Sequence, residues 1–411
     1  MLKNNFLVFF LCFFCKITFA MTINEAVEKT LSESNESKKL QADYSSYTAG
    51  QVLGFEKLLL PSVGYKLNKI TTTPLNLNDT KTQEGSFFIS YDVSNLYKGS
   101  FLFSSNVAGL NSKKSLNKEE VSKLTISAIE IFLNVFEAQK SVELLEKSLN
   151  VNLKMLERAK ERYNYGSSRK TSVLLLESQV EEIAANLELS KNNLEIAKVK
   201  FAKIIGIAPE NLQEPNEETI TFKTFEDFIS QVKKENNSLK ASESAKNSAK
   251  YNLAYESSQF LPDISITLEK YKTQNLTLDT KDEGKRIIIS AKLYFYNPGV
   301  FGSVAKSGYE YRSAKEQNFV DQKSITIEAQ DLWAKNDYYK TAVTSKQRLV
   351  DTRKKLVSEY AHDYSYGRIE LTDVLEEERK LTESELELLK LKIQKLLNIY
   401  KIKSLAGVKI L

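Results

Sequence analysis

Two stretches of the chain, RYNYGSSRKTSVLLLES at Arg162–Ser178 and DYSYGRIELTDVLEEER at Asp363–Arg379, carry one pattern 201 residues apart. Each contains Tyr-x-Tyr-Gly, a threonine five residues after the glycine, and then Val-Leu. A glycine that ends a helical pattern can take the left-handed conformation that closes a helix. Thr171 and Thr372 precede the next apolar seam, where an N-cap or first-turn residue is expected. Each stretch therefore predicts a hairpin that joins two long antiparallel helices.

The 201-residue offset extends over most of the chain. It also relates Pro61 to Pro262, Phe132 to Trp333, and Gly206 to Gly407. A repeat of this length indicates an internal duplication, because the repeats of solenoid proteins are much shorter. The predicted organisation is a first repeat at 21–206 with its tip at 166, a linker at 207–222, and a second repeat at 223–411 with its tip at 367.

Helices account for most of the predicted structure. An apolar residue recurs at alternating steps of three and four, which is the spacing of a coiled-coil seam. The positions are Val173, Leu176, Val180, Ile183 and Leu187, continued by Ser190, Leu194, Ala197, Phe201 and Ile204. A longer pattern of the same kind precedes Gly166, at Ala128, Phe132, Val135, Gln139, Val142, Leu145, Leu149, Leu153, Leu156 and Tyr163. Helical hairpins are predicted at about 118–206 and 303–407, with rods near 70 Å long for some 45 residues at about 1.5 Å per residue. The helices alone would favour a cytoplasmic coiled-coil scaffold.

Four segments alternate apolar and polar residues, at about 62–73, 86–97, 263–272 and 286–297. In the second, Phe87, Ile89 and Tyr91 belong to one face, while Ser86 and Ser90 belong to the other. Strands of about ten alternating residues joined by polar loops are typical of outer-membrane barrels, although a soluble hairpin with one buried face has the same pattern. Four strands cannot close a barrel, so membrane-spanning strands would require several copies to share one.

The first twenty residues, MLKNNFLVFFLCFFCKITFA, have the pattern of a cleaved secretory signal. Lys3 precedes an apolar run, and Ala20 ends a small-x-small cleavage site. An N-terminal membrane anchor is the alternative, but the apolar run is short for a span. Cys12 and Cys15 follow bulky residues, which argues against lipidation. They are the only cysteines, so the mature chain is expected to have no disulfide or thiol chemistry.

The composition disfavours several classes of function. The formal net charge is +5 and lysines alternate with glutamates along the chain, which indicates solvated helix faces and disfavours nucleic-acid binding. His362 is the only histidine, so a zinc or copper site is not expected. Neither a glycine-rich phosphate loop nor a Ser/His/Asp set can be assembled. The sequence predicts no enzyme and no cofactor, and energy for any transport would come from a partner.

These features together resemble the TolC-like outer-membrane efflux proteins. The resemblance rests on the two tip stretches, the prolines between helix and strand, YNPGVFG after the last strand, and the end near SLAG. It implies a mainly α homotrimer, with a 12-strand barrel in the outer membrane and a 12-helix tunnel through the periplasm. The implied role is a passive exit duct for efflux or type I secretion, joined to a periplasmic adaptor and an inner-membrane transporter. The alternative is an exported periplasmic coiled-coil structural protein without a pore.

The resemblance also assigns roles to tip residues. It implies that the adaptor docks at the tips, at Tyr165, Gly166, Thr171, Tyr366, Gly367 and Thr372, and that Asp373 and Glu376 form the channel gate. Ser172 stands in the first tip where the family usually has aspartate, so one repeat supplies that acid. Three copies of both acids around a narrow lumen would attract cations and repel anions. Alternatively, both acids lie on the helix exterior as ordinary solvated groups.

Overall fold

The computed structural model describes residues 21–73, 80–209 and 212–410. The predicted signal at 1–20, with both cysteines, lies outside the described residues. The helices are α1 (Ile23–Glu33), α2 (Asn35–Leu59), α3 (Lys98–Asn164), α4 (Lys170–Ile205), α5 (Phe225–Glu235), α6 (Asn237–Ser258), α7 (Val300–Ser365) and α8 (Leu371–Leu405). The strands are β1 (Ser62–Thr72), β2 (Thr80–Asp92), β3 (Asp263–Asn275) and β4 (Thr280–Lys292).

The four strands form one antiparallel sheet in the order β1-β2-β3-β4. The register places Tyr65 opposite Phe87 and Ile89 opposite Leu268. Apolar residues of neighbouring strands therefore share one face of the sheet, because side chains alternate between the faces along each strand. The prediction of four strands with one apolar face is confirmed.

Two strands lie at other positions than expected. The strand expected at 86–97 is β2, and the strand expected at 286–297 is β4, so both begin and end earlier. β2 ends early because the Asp92 carboxylate accepts a hydrogen bond from the backbone N–H of Ser94 (2.9 Å) and begins a 3-10 turn at Val93–Leu96. Both strands begin early because their polar first residues pair with the preceding strand. Alternation of apolar residues does not reveal such pairing.

The two faces of the sheet differ in chemistry. One carries exposed apolar side chains on all four strands, at Val63, Tyr65, Leu67, Phe87, Ile89, Ile266, Leu268, Ile287 and Ile289. The other holds a network centred on Arg286, whose guanidinium donates to Glu84 (2.7 Å) and to Glu269 (2.7 Å). The same guanidinium lies 4.8 Å from the centre of the Tyr271 ring. The charged side chains of the Arg286 network thus neutralise one another on the polar face, and no described residue covers the apolar face.

The helices form two long hairpins, α3 with α4 and α7 with α8. α3 has 67 residues and α7 has 66, which makes each about 100 Å long. The first five positions of the coiled-coil seam predicted in α4 are buried, and so is Phe201, whereas the other later positions are half-buried. Leu153 and Tyr163 of α3, which the same pattern assigned to a seam, are exposed instead. Among the helices that the structure describes, none combines the length and apolar character needed to cross a bilayer.

Two apolar clusters lie around the middle of the long helices. In one, Ile23 of α1 packs with Phe132 and Phe201 of the first hairpin. In the other, Phe228 of α5 packs against the second hairpin and stacks on Trp333 at 5.7 Å between ring centres. The repeated aromatic position seen in the sequence at Phe132 and Trp333 therefore has a packing role in both repeats.

The first helical hairpin begins earlier than the predicted boundary at 118. α3 starts at Lys98, and its first twenty residues, 98–117, are rich in Ser, Gly and Asn. Polar contacts replace an apolar seam there: Ser105 donates to the carbonyl of Ser248 (2.9 Å), and Ser112 donates to the carbonyl of Ala241 (2.8 Å). Small polar side chains join α3 to α6 without the apolar periodicity by which a helix is recognised in sequence.

Candidate functional site

Both tip glycines close their helices in the same way. Gly166 has a φ angle of 72° and Gly367 one of 71°, in the region where a Cβ atom is unfavourable. At the first tip, the N–H of Gly166 donates to the carbonyl of Tyr163 (2.9 Å), and that of Ser167 donates to the carbonyl of Arg162 (2.8 Å). The second tip repeats both bonds at 3.0 Å. Each is a Schellman motif, which reverses the chain and satisfies the last helical carbonyls, so the predicted hairpin turns are confirmed.

The helices that leave the tips begin without a side-chain cap. Arg169 and Glu370 occupy the N-cap positions of α4 and α8, and neither side chain accepts a hydrogen bond from its helix. Thr171 and Thr372 are exposed residues of the first turn. Of the two positions considered for these threonines, the N-cap is therefore wrong and the first turn is right.

Aromatic and cationic side chains cover the tip surfaces. Tyr165 is 87% exposed and Tyr366 is 66% exposed. The guanidinium of Arg368 lies 5.3 Å from the centre of the Tyr366 ring, and the His362 ring lies 4.8 Å from it. Tyrosine combines an apolar ring with a hydrogen-bonding hydroxyl, and it is enriched with arginine at protein interfaces. The exposed tips therefore share the tyrosine and arginine enrichment of protein interfaces.

The two tips pack against each other within one chain. A buried cluster beneath them consists of Leu156, Ala159, Val173, Leu176, Val180, Leu371 and Leu375, from α3, α4 and α8. At its margin the guanidinium of Arg162 lies 5.7 Å from the centre of the Tyr364 ring. The structure thus brings the predicted docking residues of both repeats, and the two predicted gate acids, to one end of the molecule.

The two predicted gate acids differ in their surroundings. Asp373 is exposed in the first turn of α8, where the helix dipole favours a negative charge, and it forms no ion pair with any described residue. Glu376 is also exposed, but it is paired with Arg379 (3.0 Å) and Lys380 (3.3 Å). Hydrogen bonds from Arg379, and then from Lys380, lower the pKa of the Glu376 carboxyl below its usual range. Asp373 therefore carries the less compensated charge.

Sequence reasoning missed the charges that flank the site. Cations begin α4, at Arg169 and Lys170, whereas the acid Glu370 stands at the corresponding point before α8. The compensation of Glu376 was also missed, although Glu-x-x-Arg spacing to Arg379 is the sequence signal of such a pair. A comparison of charges at equal offsets in the two repeats would have found both features.

Comparison with known proteins gives matches at the level of structure. No protein-family model matches the sequence, and no curated protein sequence matches it. The outer membrane protein VceC from Vibrio cholerae has a TM-score of 0.79 at 15% identity, over 94% of this chain and 96% of VceC. The MtrE outer membrane channel of Neisseria gonorrhoeae has a TM-score of 0.77 at 14% identity, over 94% of this chain and 89% of MtrE. The Campylobacter jejuni CmeC outer membrane channel has a TM-score of 0.75 at 14% identity, over 94% and 85%.

At identities of 14–15% these likenesses establish the fold. They extend along nearly the whole chain and include both helical hairpins and the four-strand sheet. The chain therefore has the TolC-like fold that its tip stretches and alternating strands predicted.

Proposed function

We propose that three copies of the chain form an outer-membrane channel-tunnel that serves as a passive exit duct. The strands of three chains share one barrel, and the helical hairpins form a tunnel through the periplasm. The tips dock to a periplasmic adaptor, and an inner-membrane transporter supplies substrate choice and free energy. The duct serves efflux of small molecules or type I secretion, and the chain itself has no catalytic role.

The exposed apolar face of the sheet is the observation that carries this proposal. Val63 is 74% exposed and Ile289 is 72% exposed, whereas Glu269 on the other face is buried. Soluble monomers rarely expose apolar patches that extend over a whole sheet. In a membrane barrel, the apolar face would contact lipid hydrocarbon and the polar face would line the polar interior.

The free edges of the sheet support a shared barrel. Within the described chain, β1 pairs with β2 alone and β4 pairs with β3 alone. Unpaired backbone groups at such edges need partners in hydrocarbon. Pairing of β4 in one copy with β1 in the next meets this need. Three sheets of four strands give twelve, which exceeds the roughly eight strands of the smallest barrels.

The likeness to solved structures supports the location and the role. VceC is an outer membrane protein, and MtrE and CmeC are outer membrane channels. The predicted signal at 1–20 would deliver the chain to that compartment. Agreement between an export signal, an uncovered apolar face and this fold favours a membrane channel over an exported coiled-coil protein without a pore.

We assign docking and gating to the tips. The docking surface consists of Tyr165, Gly166, Thr171, Tyr366, Gly367 and Thr372, which are exposed at one end of the molecule. For the gate we assign the main role to Asp373 and a smaller one to Glu376, because Arg379 and Lys380 offset the Glu376 charge. A ring of three Asp373 carboxylates would attract cations and repel anions.

Membrane fractionation of cells that express the full chain tests the proposal. We expect the protein in the outer membrane as a trimer that resists SDS until it is heated. A soluble monomer in the periplasmic fraction, the behaviour of a coiled-coil protein without a pore, would rule the proposal out.

A further inference from the structure

A row of contacts joins α3 to α8 and holds the two hairpins side by side. Its members are the hydroxyl pair Ser148–Thr382 (3.3 Å), the Asn152 amide beside the Glu378 carboxyl, and the apolar side chains of Leu156, Ala159, Leu371 and Leu375. Successive members are about one helical turn apart on both helices. Asn152 and Glu378 place an amide and a carboxyl group in the middle of this row.

Both side chains of this pair have an unsatisfied oxygen. Asn152 is 1% exposed, and its amide nitrogen donates to the carbonyl of Ser148 (2.9 Å). Neither Oδ1 of Asn152 nor Oε2 of Glu378 has a hydrogen-bond partner among the described residues, although both atoms are buried. Buried polar atoms without partners are destabilising. Both atoms are acceptors, so each of them lacks a hydrogen-bond donor.

We propose that Glu378 is protonated in the folded protein and that its O–H donates to Oδ1 of Asn152, while the Asn152 amide donates to the carboxyl group. The pair takes up one proton from solvent, and no other group changes its charge. Ionisation of Glu378 removes the donor and leaves a buried negative charge beside an amide oxygen. The pair is therefore a pH-sensitive link between the two hairpins.

Charged groups on the packed elements do not neutralise Glu378. On α8, Glu377 is paired with Lys380 (3.4 Å), and Arg379 is paired with Glu376 and Glu383. On α7, Lys354 is paired with Glu385 (2.9 Å). On α4, Glu182 lines a cavity of about 240 Å³ beside Asn152. Burial is the main cause that raises the pKa of Glu378 above its usual 4.5, and the hydrogen bond with Asn152 opposes it. The surroundings thus favour the neutral acid.

A raised pKa determines the direction of the pH effect. The closed contact binds the proton more tightly than an opened one, so its stability is greatest at low pH and falls as pH rises through the raised pKa. Glu119 and Glu137 of α3 also have pKa values raised by burial. Global stability therefore does not isolate Glu378, and a local measurement on α8 is required.

Hydrogen exchange of segment 371–385 in the assembled full-length protein provides that measurement. When the pH is lowered from about 8 to about 5, we expect the protection of this segment to rise after correction for intrinsic exchange. The rise should be about tenfold for each unit by which the pKa in the closed contact exceeds the pKa in the opened one. Glu378→Gln keeps a neutral hydrogen-bonded pair and should show the high protection at both values. Glu387→Gln removes an exposed acid of the same helix and should keep the parent's pH response.

Infrared spectroscopy with isotope-labelled glutamate gives a second readout. The parent and Glu387→Gln should show a component of the protonated carboxyl band that weakens as pH rises and that Glu378→Gln lacks. The proposal is overturned if the band is unchanged by Glu378→Gln, or if that variant keeps the parent's pH-dependent protection. Any effect of the Asn152–Glu378 pair on opening of the duct depends on the proposed channel function. Neither readout requires conduction, so failure of the channel proposal and failure of this one are distinguishable.

Discussion

Gly166 and Gly367 lie 201 residues apart and take the same left-handed conformation, with φ angles of 72° and 71°. A Cβ atom at either position would meet nothing within 4 Å, so glycine is favoured there by the backbone alone. The hydrogen bonds of the two turns also agree. The repeats therefore share the shape of their tips, while the charges around the tips differ.

Alanine at a tip glycine should weaken the turn. We expect Gly166→Ala or Gly367→Ala to lower the free energy of unfolding by about 1 kcal/mol, since a residue with a Cβ is strained at positive φ. Gly302→Ala is the matched control, because Gly302 is helical and has open space around it. That control should be neutral or stabilising by up to about 1 kcal/mol. Denaturant titrations of the purified variants measure these differences, and equal losses at all three positions would contradict the assignment.

Loss of Arg286 should destabilise the sheet more than loss of an exposed cation. Arg286→Met leaves Glu84 and the buried Glu269 without their counter-charge, and we expect a cost of about 3 kcal/mol. Lys272→Met removes the exposed ion pair with Glu283 (3.2 Å), which is worth at most about 1 kcal/mol. The measurement is the resistance of the assembled protein to heat and denaturant. Equal resistance of the two variants would show that the network contributes little.

A charge on the apolar face should impair membrane assembly. Ile289→Lys should cost about 2–4 kcal/mol if the residue lies near the middle of the bilayer, and less of the protein should then reach the outer membrane as a trimer. Ser290→Lys places the same charge on the polar face of the same strand and should assemble nearly as the parent does. Full assembly of the Ile289 variant would argue against contact between this face and lipid.

The gate acids should have unequal effects on conduction. Asp373→Asn should reduce cation selectivity by about fivefold, since a charge at close range is worth about 1 kcal/mol in water. Glu376→Gln should do less, because Arg379 and Lys380 already offset that charge. The double variant should also raise conductance in divalent cations. Single-channel recordings measure the selectivity and conductance of these variants, with Glu387→Gln as the control. If the double variant keeps the parent's selectivity and divalent block, the assignment of Asp373 and Glu376 to a ring around the lumen is contradicted.

The features that sequence reasoning predicted correctly have local causes. A helix that stops at Gly166 or Gly367 needs a left-handed residue, and glycine is recognisable as such in sequence. The buried seam of α4 follows the three-and-four spacing that defines a coiled-coil face. Alternation of apolar and polar residues likewise marked the central part of each strand. In all three cases the signal and the structure involve the same few residues.

The features that it missed depend on contacts distant in sequence. The polar start of β2 is a strand because it pairs with β1 and β3. The start of α3 is packed through serines that bond to α6, so it has no apolar period to detect. The acid–amide pair of Asn152 and Glu378 joins residues 226 positions apart. No local pattern in the sequence contains such information.

Conductance of the purified protein in planar lipid bilayers tests the central claim most directly. The account predicts discrete, poorly conducting and cation-selective channels, formed by a trimer that also withstands SDS. A folded trimer that inserts into the bilayer and gives no conductance steps, even after both gate acids are neutralised, would contradict it.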